Sequence, residues 1–247
     1  MTTPLIVTTS WDDGYPADVK TAEVLASCGA TGTFYVPTRN AEGRPVLQEE
    51  TIRELSCRFE IGGHSIDHIV LTGLSPSELD RQVRENKQWL ESITTSPVRG
   101  FCYVRGRYNA AVTEAVRNAG YAYARTVENL NAGLTGDPYR VPVTLQLYPH
   151  SPLAYAKMLR HGGVSVARLK SLWTALSSRD LAQRVERLAM ASRAAGGYFH
   201  LWGHSWELEE LNLWNKLREV LNHLAGDHGA EFLTNHDALV RLRVLER

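Results

Sequence analysis

Three separated stretches of this chain put carboxylates or imidazoles just past strand-like runs. Residues 5–11 (LIVTTSW) read as a strand and stop on Asp12-Asp13-Gly14. Residues 59–61 read as a strand and lead through Gly62-Gly63 into His64-Ser65-Ile66-Asp67-His68. Residues 198–202 read as a third, followed by His204-Ser205. In a parallel α/β fold, functional side chains collect at the C-terminal ends of the strands. Three such ends carrying acid or imidazole are a stronger signal than any one of them.

His64 and His68 are four apart, so on a helical turn they face the same way and can grip one divalent ion. The plain alternative is a surface pair. Two imidazoles and one carboxylate would leave positions open for water, the pattern of a catalytic metal site. Asp12-Asp13 offers the carboxylate. Adjacent residues at a strand end point in different directions, so one can ligate while the other serves as a base. A cation also removes the objection to two like charges side by side. The alternative is an Asx turn at a tight Asp-Gly corner. His204 titrates near neutral pH and suits a general acid, against a capping or core histidine. His200 alternates with Trp202 and reads as buried or as a support for the site. His150, His161, His223, His228 and His236 read as surface or capping residues.

The elements that must position these groups alternate. Strands are expected at 5–11, 33–36, 59–61, 100–103, 121–126, 141–147, 198–202 and 230–234. Helices are expected at 17–28, 48–56, 76–93, 109–118, 153–159, 164–173, 180–195 and 207–224, with 237–240 following the last strand. Ser75, Pro76 and Glu78 make a capping-box start for the long third helix. Repeated β-then-α order implies parallel strands with crossover helices. About seven such units without a long linker predict a closed or nearly closed (β/α) barrel in one domain, residues 1–247; a doubly wound sheet is the runner-up. Residues 126–140 read as a long loop on one face.

The 247 residues are ample for one core. Lys plus Arg and Asp plus Glu are 27 each, which points away from nucleic-acid and membrane partners. Cys28, Cys57 and Cys102 form no disulfide framework and no CxxC site, and read as buried thiols in a reducing compartment. The N-terminal residues show no basic n-region with an apolar stretch, and no 18-residue apolar run exists. The expectation is a soluble, cytoplasmic protein, with a homo-oligomer compatible with the sequence.

The motifs also resemble a known family. Ser10-Trp11-Asp12-Asp13-Gly14 resembles the Thr-Phe-Asp-Asp-Gly motif of the NodB-like polysaccharide deacetylases, carbohydrate esterase family 4. His64-Ser65-Ile66-Asp67-His68 is similar to its His-[Ser/Thr]-x-x-His motif, Phe101–Gly106 to a divergent third motif, and Leu201–Ser205 to the last, Leu-x-His. The resemblance implies a distorted (β/α) barrel and metal-dependent removal of an N- or O-acyl group. Carried over, Asp13, His64 and His68 would bind Zn²⁺ or another divalent ion such as Co²⁺, Ni²⁺ or Mn²⁺. Asp12 would be the base and His204 the acid, with a backbone N–H near Tyr103 helping to hold the oxyanion.

Two departures stand out. Cys102 occupies the place of an arginine that orients the base, and Arg125, at a strand end, is the first choice to replace it over Arg105 and Arg107. Glu128 is the stand-in for the aspartate that orients the acid histidine. Trp202 and Trp206 flank His204 and could pack on a sugar ring, although Trp11 and Trp202 also suit the core. Glu207 reads as an acidic residue favouring a helix N-terminus.

The expected activity is therefore a metal-dependent deacetylase acting on an N-acetylated sugar or glycoconjugate. The first alternative is an amidohydrolase for a small linear or cyclic amide, with residues 137–150 closing over it. A non-catalytic carbohydrate-binding protein is a third reading, opposed by the presence of base, ligands and acid together.

Overall fold

The computed structural model describes residues 4–178, 180–226 and 229–246. The chain starts with β1 (Ile6–Asp12), α1 (Asp18–Ser27), β2 (Thr33–Val36), α2 (Glu49–Ser56), β3 (Glu60–Gly63) and α3 (Pro76–Thr94). It continues through β4 (Gly100–Cys102), α4 (Ala110–Asn118), β5 (Tyr123–Arg125) and β6 (Leu145–Gln146). Three helices follow, α5 (Pro152–Met158), α6 (Val166–Ser177) and α7 (Leu181–Ala194), then β7 (Tyr198–His204). The last elements are α8 (Ser205–Glu210), α9 (Trp214–Gly226), β8 (Glu231–Leu233) and α10 (Asn235–Arg241).

Seven parallel strands run in the order β5-β4-β3-β2-β1-β7-β6, and β8 pairs with the start of β1. β1 is the central strand. It pairs with β7 over all seven residues, from Ile6↔Tyr198 to Asp12↔His204. That register alone sets Asp12 beside His204. All seven residues of β1 are buried, as expected of a parallel strand covered on both faces. Its polar run is satisfied internally: Thr8 Oγ1 and Ser10 Oγ sit 2.9 and 2.8 Å from the two ring nitrogens of His200. Burial pushes the His200 pKa well below its ordinary value, so this ring is neutral.

The sheet bends round on itself. Val141 bridges Arg125 of β5, while Leu145 and Gln146 pair with Leu201 and Trp202 of β7. Residues 141–147 thus carry the ladder from β5 towards β7, giving the distorted (β/α) barrel the motifs implied. This segment is buried throughout and hydrogen-bonded into the sheet, with Thr144 N–H donating to His200 O and Leu147 N–H to Trp202 O. It cannot serve as a lid over a small substrate.

Several local expectations change. The predicted helix 207–224 is two helices, α8 and α9, separated by a turn with Asn212 at φ 50°. Residues 126–140 form the expected loop and end in a short 3₁₀ turn at Pro138–Arg140, with Thr126, Glu128, Asn129 and Leu130 buried. Of the cysteines, only Cys102 is buried; Cys28 is half-buried and Cys57 exposed. Ser75 caps α3 as expected, its Oγ accepting from Glu78 N–H at 3.3 Å. His228 lies outside the described residues. Among the described residues, no helix is long and apolar enough to cross a membrane.

Candidate active site

A pocket of about 280 Å³ opens at the C-terminal ends of β1, β3 and β7. Asp12, Asp13, His64, His68 and His204 all line it, together with Trp202 and Trp206. The backbone is held in left-handed conformations here. Asp13, Ser65, His68 and Arg105 have φ of 76°, 68°, 53° and 52°, four of the eight such non-glycine residues among those described. Each costs on the order of 1–3 kcal/mol and persists only where the surroundings enforce it. Gly14 continues the turn at φ 57°, and a Cβ there would press on Val36.

The two histidines do not share a helical turn, as their spacing had suggested. Residues 64–68 form an irregular loop. Its shape comes from outside contacts. Thr38, Arg39 and Ala41 donate backbone N–H groups to Ser65, Ile66 and Asp67 carbonyls. Buried Asn86 accepts His64 N–H at 2.9 Å, and Gln82 accepts Asp67 N–H at 3.1 Å. The ring centroids of His64 and His68 end 5.1 Å apart.

Both rings turn Nε2 toward one oxygen. Asp13 Oδ1 lies 3.6 Å from His64 Nε2 and 2.9 Å from His68 Nε2. Burial alone would push the Asp13 carboxyl up, but hydrogen bonds from His64 and His68 outweigh it and hold the group well below the usual carboxylate range. Its other oxygen, Oδ2, accepts the Trp206 indole N–H at 2.9 Å. His64 Nδ1 donates to the Cys102 carbonyl at 2.8 Å, so that in the neutral ring Nε2, facing Asp13, is the nitrogen left with a lone pair for an ion. Donor atoms of Asp13, His64 and His68 all lie within 4.8 Å of one another. Donors about 2.0–2.1 Å from a tetrahedral Zn²⁺ are spaced about 3.3 Å apart. The measured 2.9 and 3.6 Å bracket that value, so this donor set fits a divalent ion.

Asp12 faces a different neighbour. Its Oδ1 accepts from Arg125 Nη2, and its Oδ2 lies 3.6 Å from Cys102 Sγ. Arg125 is completely buried, between the rings of Tyr35 and Trp202, each 5.1 Å from its Cζ. Burial works against its charge, yet Asp12 more than offsets this and keeps the guanidinium ionised. Cys102 and Arg125 are register partners on β4 and β5. A short thiol on β4 leaves space for the long side chain arriving from β5. Burial raises the Cys102 pKa, so the thiol is neutral.

On the opposite flank, His204 Nδ1 lies 2.8 Å from Glu207 Oε2. Burial disfavours the charged ring, but the Glu207 hydrogen bond and the Asp13 charge overcome it and raise the His204 pKa. Gln146 Nε2 donates to both Glu207 oxygens at 3.2 and 3.0 Å, and His150 Nε2 meets Gln146 Oε1 at 2.8 Å. His150 is thus tied to this flank rather than being a plain surface residue. The His204 ring packs between Trp202, edge-on at 5.5 Å, and Trp206, stacked at 5.1 Å.

Two expected members lie elsewhere. Glu128 does not reach His204; it accepts from Tyr108 Oη at 2.6 Å and Arg140 Nη2 at 3.3 Å. Glu207 holds the histidine instead, and the spacing of three residues across a helix start was the signal for it. Tyr103 points into the core, with Oη donating to Tyr139 O at 3.1 Å. Its backbone N–H donates to Arg125 O at 3.2 Å and is not available to an oxyanion. Asp18 went unremarked in the sequence. It is fully buried at the start of α1, and neither carboxylate oxygen has a hydrogen-bond partner among the described residues. Burial pushes its pKa well up against the opposing pull of the Ser205 hydroxyl, and the nearby Asp13 and Asp12 charges add to the rise, so this carboxyl is neutral.

A family model described as polysaccharide deacetylase matches residues 2–124. The chain belongs to the polysaccharide deacetylase family. Within that half, it is 27% identical over 121 residues to the polysaccharide deacetylase homologue YxkH of Bacillus subtilis, covering 48% of this chain and 43% of that protein. It is 27% identical over 119 residues to a peptidoglycan-N-acetylglucosamine deacetylase of Bacillus cereus, covering 47% of this chain and 54% of that one. The chain spans about half the length of the curated relatives it matches. The fold likeness runs further. A family 4 acetyl xylan esterase from Clostridium thermocellum, solved with a cobalt ion, superposes with a TM-score of 0.58 at 14% identity, over 96% of this chain and 91% of that one. The likeness in fold therefore extends past the matched half, through the strand that carries His204.

Proposed function

We propose that the protein is a metal-dependent hydrolase that removes an N-acetyl or related acyl group from an N-acetylated sugar or glycoconjugate. The observation that carries this reading is the convergence of two flanks on one ligand set. Asp13, His64 and His68 meet at a single oxygen, with Asp12–Arg125 on one side and His204–Glu207 on the other.

Asp13, His64 and His68 would hold the ion, and Zn²⁺ suits this nitrogen and oxygen donor set. When bound there, a divalent cation would polarise the acyl carbonyl and acidify the attacking water. Asp12 takes the proton from that water. Arg125 keeps Asp12 from rotating and keeps its charge supported inside the barrel. His204 delivers a proton to the departing amine, because an amide anion is too poor a leaving group to depart unprotonated. Glu207 fixes the His204 tautomer with Nε2 toward the pocket and favours the protonated ring. Trp206 holds the second oxygen of Asp13, and with Trp202 walls the acid from bulk water.

The small-amide alternative relied on residues 137–150 as a closing flap. Half of that segment, residues 141–147, is buried and hydrogen-bonded to the neighbouring strands, so the tryptophan-lined pocket favours the sugar reading. The test is metal analysis of the purified protein combined with acetate release from a panel of N-acetyl sugars. Release that stops on chelation and returns with Zn²⁺ or Co²⁺ supports the reading; release indifferent to chelator defeats it.

A further inference from the structure

A second cleft, of about 460 Å³, adjoins the catalytic pocket, and Val127 lines both. Its character is basic: Arg107, Arg140, Arg160 and His161 surround it. Its one acid, Glu128, is buried and already answered by Tyr108 and Arg140. Arg107 and Arg160 are exposed, and neither has an ion-pair partner among the described residues. Three arginines against one carboxylate leave the cleft a surplus of about two positive charges.

The fold builds this cleft rather than leaving it to chance side chains. Arg160 and His161 sit at the tip between α5 and α6, followed by Gly162 and Gly163 at φ of 81° and 79°. Gly162 lies so close to Glu128 that a Cβ would overlap the carboxylate. Buried Arg168 ties the tip down, donating to the Gly163 carbonyl, to Met158 O at 3.0 Å, and twice to Asn129 O at 3.1 and 2.8 Å. Asn129 also accepts the Trp202 indole N–H at 3.0 Å. One loop thus holds both the catalytic wall and the basic cleft. In a chain with no formal net charge, six Lys or Arg and no Asp or Glu lie between Asp137 and Asp180.

We propose that this cleft is a subsite for a phosphate-type anion on the substrate, so that the preferred substrate is an N-acyl sugar bearing a phosphate. This rests on the deacetylase reading above for the reaction, but not for the binding. A guanidinium fork pairs with two phosphate oxygens at once, and the two unpaired ones lining this cleft balance a phosphate dianion in charge.

The test titrates inorganic pyrophosphate into chelator-stripped protein by calorimetry, so that no metal can hold the probe. The wild type binds, and Arg107→Ala/Arg160→Ala weakens binding by about tenfold or more. Lys157→Ala/Lys170→Ala, exposed positions outside the cleft, leaves it unchanged. No binding by the wild type, or equal weakening by the lysine variant, overturns the subsite. In the metal-loaded enzyme, kcat/KM for N-acetylglucosamine 1-phosphate exceeds that for N-acetylglucosamine, and the arginine variant loses that preference while keeping its rate on the neutral sugar. Arginine-dependent pyrophosphate binding without turnover of either sugar upholds the subsite and defeats the deacetylase reading. Equal turnover of both sugars with no pyrophosphate binding does the reverse. Arginine-dependent pelleting with phosphatidic acid vesicles assigns the phosphate to a lipid; binding of the soluble probe alone assigns it to a free sugar phosphate.

Discussion

The two flanks of the candidate site are built by different means. On the base side, Asp12 meets an arginine 113 residues away, delivered by sheet register and sealed from solvent. On the acid side, His204 meets a glutamate three residues on, where β7 runs directly into α8. The first pairing is a long-range, fully desolvated ion pair. The second is local, and its histidine side chain remains 18% exposed. A pair of the first kind is costly to break, because either member left alone is a buried charge. A pair of the second kind tunes a proton affinity without carrying the fold.

Substitutions sharpen this contrast. Asp12→Asn removes the proposed base while keeping its shape, and turnover falls by about 10²–10⁴-fold in steady-state assays with metal content unchanged. Retained turnover would end the base assignment. Arg125→Met strands the Asp12 carboxylate inside the barrel and lowers unfolding free energy by about 3–5 kcal/mol in urea titrations. Asp12→Asn/Arg125→Met loses less than the two single changes together, since no lone charge remains. Strict additivity would mean that the pair is not coupled.

Glu207→Gln leaves stability near wild type and acts on pH dependence instead. Glu207 raises the His204 pKa, so removing its charge lowers that pKa. The acid form is then lost sooner as pH rises, and the alkaline limb of kcat/KM moves to lower pH with the same metal bound. An unmoved limb would show that Glu207 does not govern the acid. Asp18→Asn has the smallest effect on activity and a distinctive effect on stability. The folded Asp18 pKa is raised, whereas the unfolded carboxyl ionises near about 3.9. The acid therefore costs stability once pH exceeds the unfolded pKa, and increasingly so until the folded pKa is reached. The asparagine variant gains in Tm relative to wild type as pH rises from about 4 to 8. A constant difference across that range would contradict a neutral Asp18.

Residue type and spacing singled out five residues at strand ends that the fold brings to one pocket. Asp12, Asp13, His64, His68 and His204 each follow a short apolar run, and each lines the pocket. The alternation of strands and helices likewise foretold the barrel. What spacing could not reveal were contacts set by register or by buried loops. Arg125 stood out only as one of three arginines; the match of Cys102 to Arg125 across β4 and β5 puts it on Asp12. Glu128 was the expected partner of His204 and Glu207 only an acid at a helix start, but Glu128 faces Tyr108 and Arg140 on the far side of Val127. The loop holding His64 and His68 takes its shape from Asn86 and Gln82 on α3, partners with no local signature. Segment 141–147 has few residues in regular pairing, so its role in closing the sheet depends on β5 and β7 being in place.

The account depends on Asp13, His64 and His68 sharing one ion, and a Co²⁺ titration of chelator-stripped protein, followed by visible absorption, tests this most directly. The wild type and Asp12→Asn should each take up one equivalent, and Asp13→Asn should bind far more weakly. Equal uptake by Asp13→Asn, or none by the wild type, would contradict it.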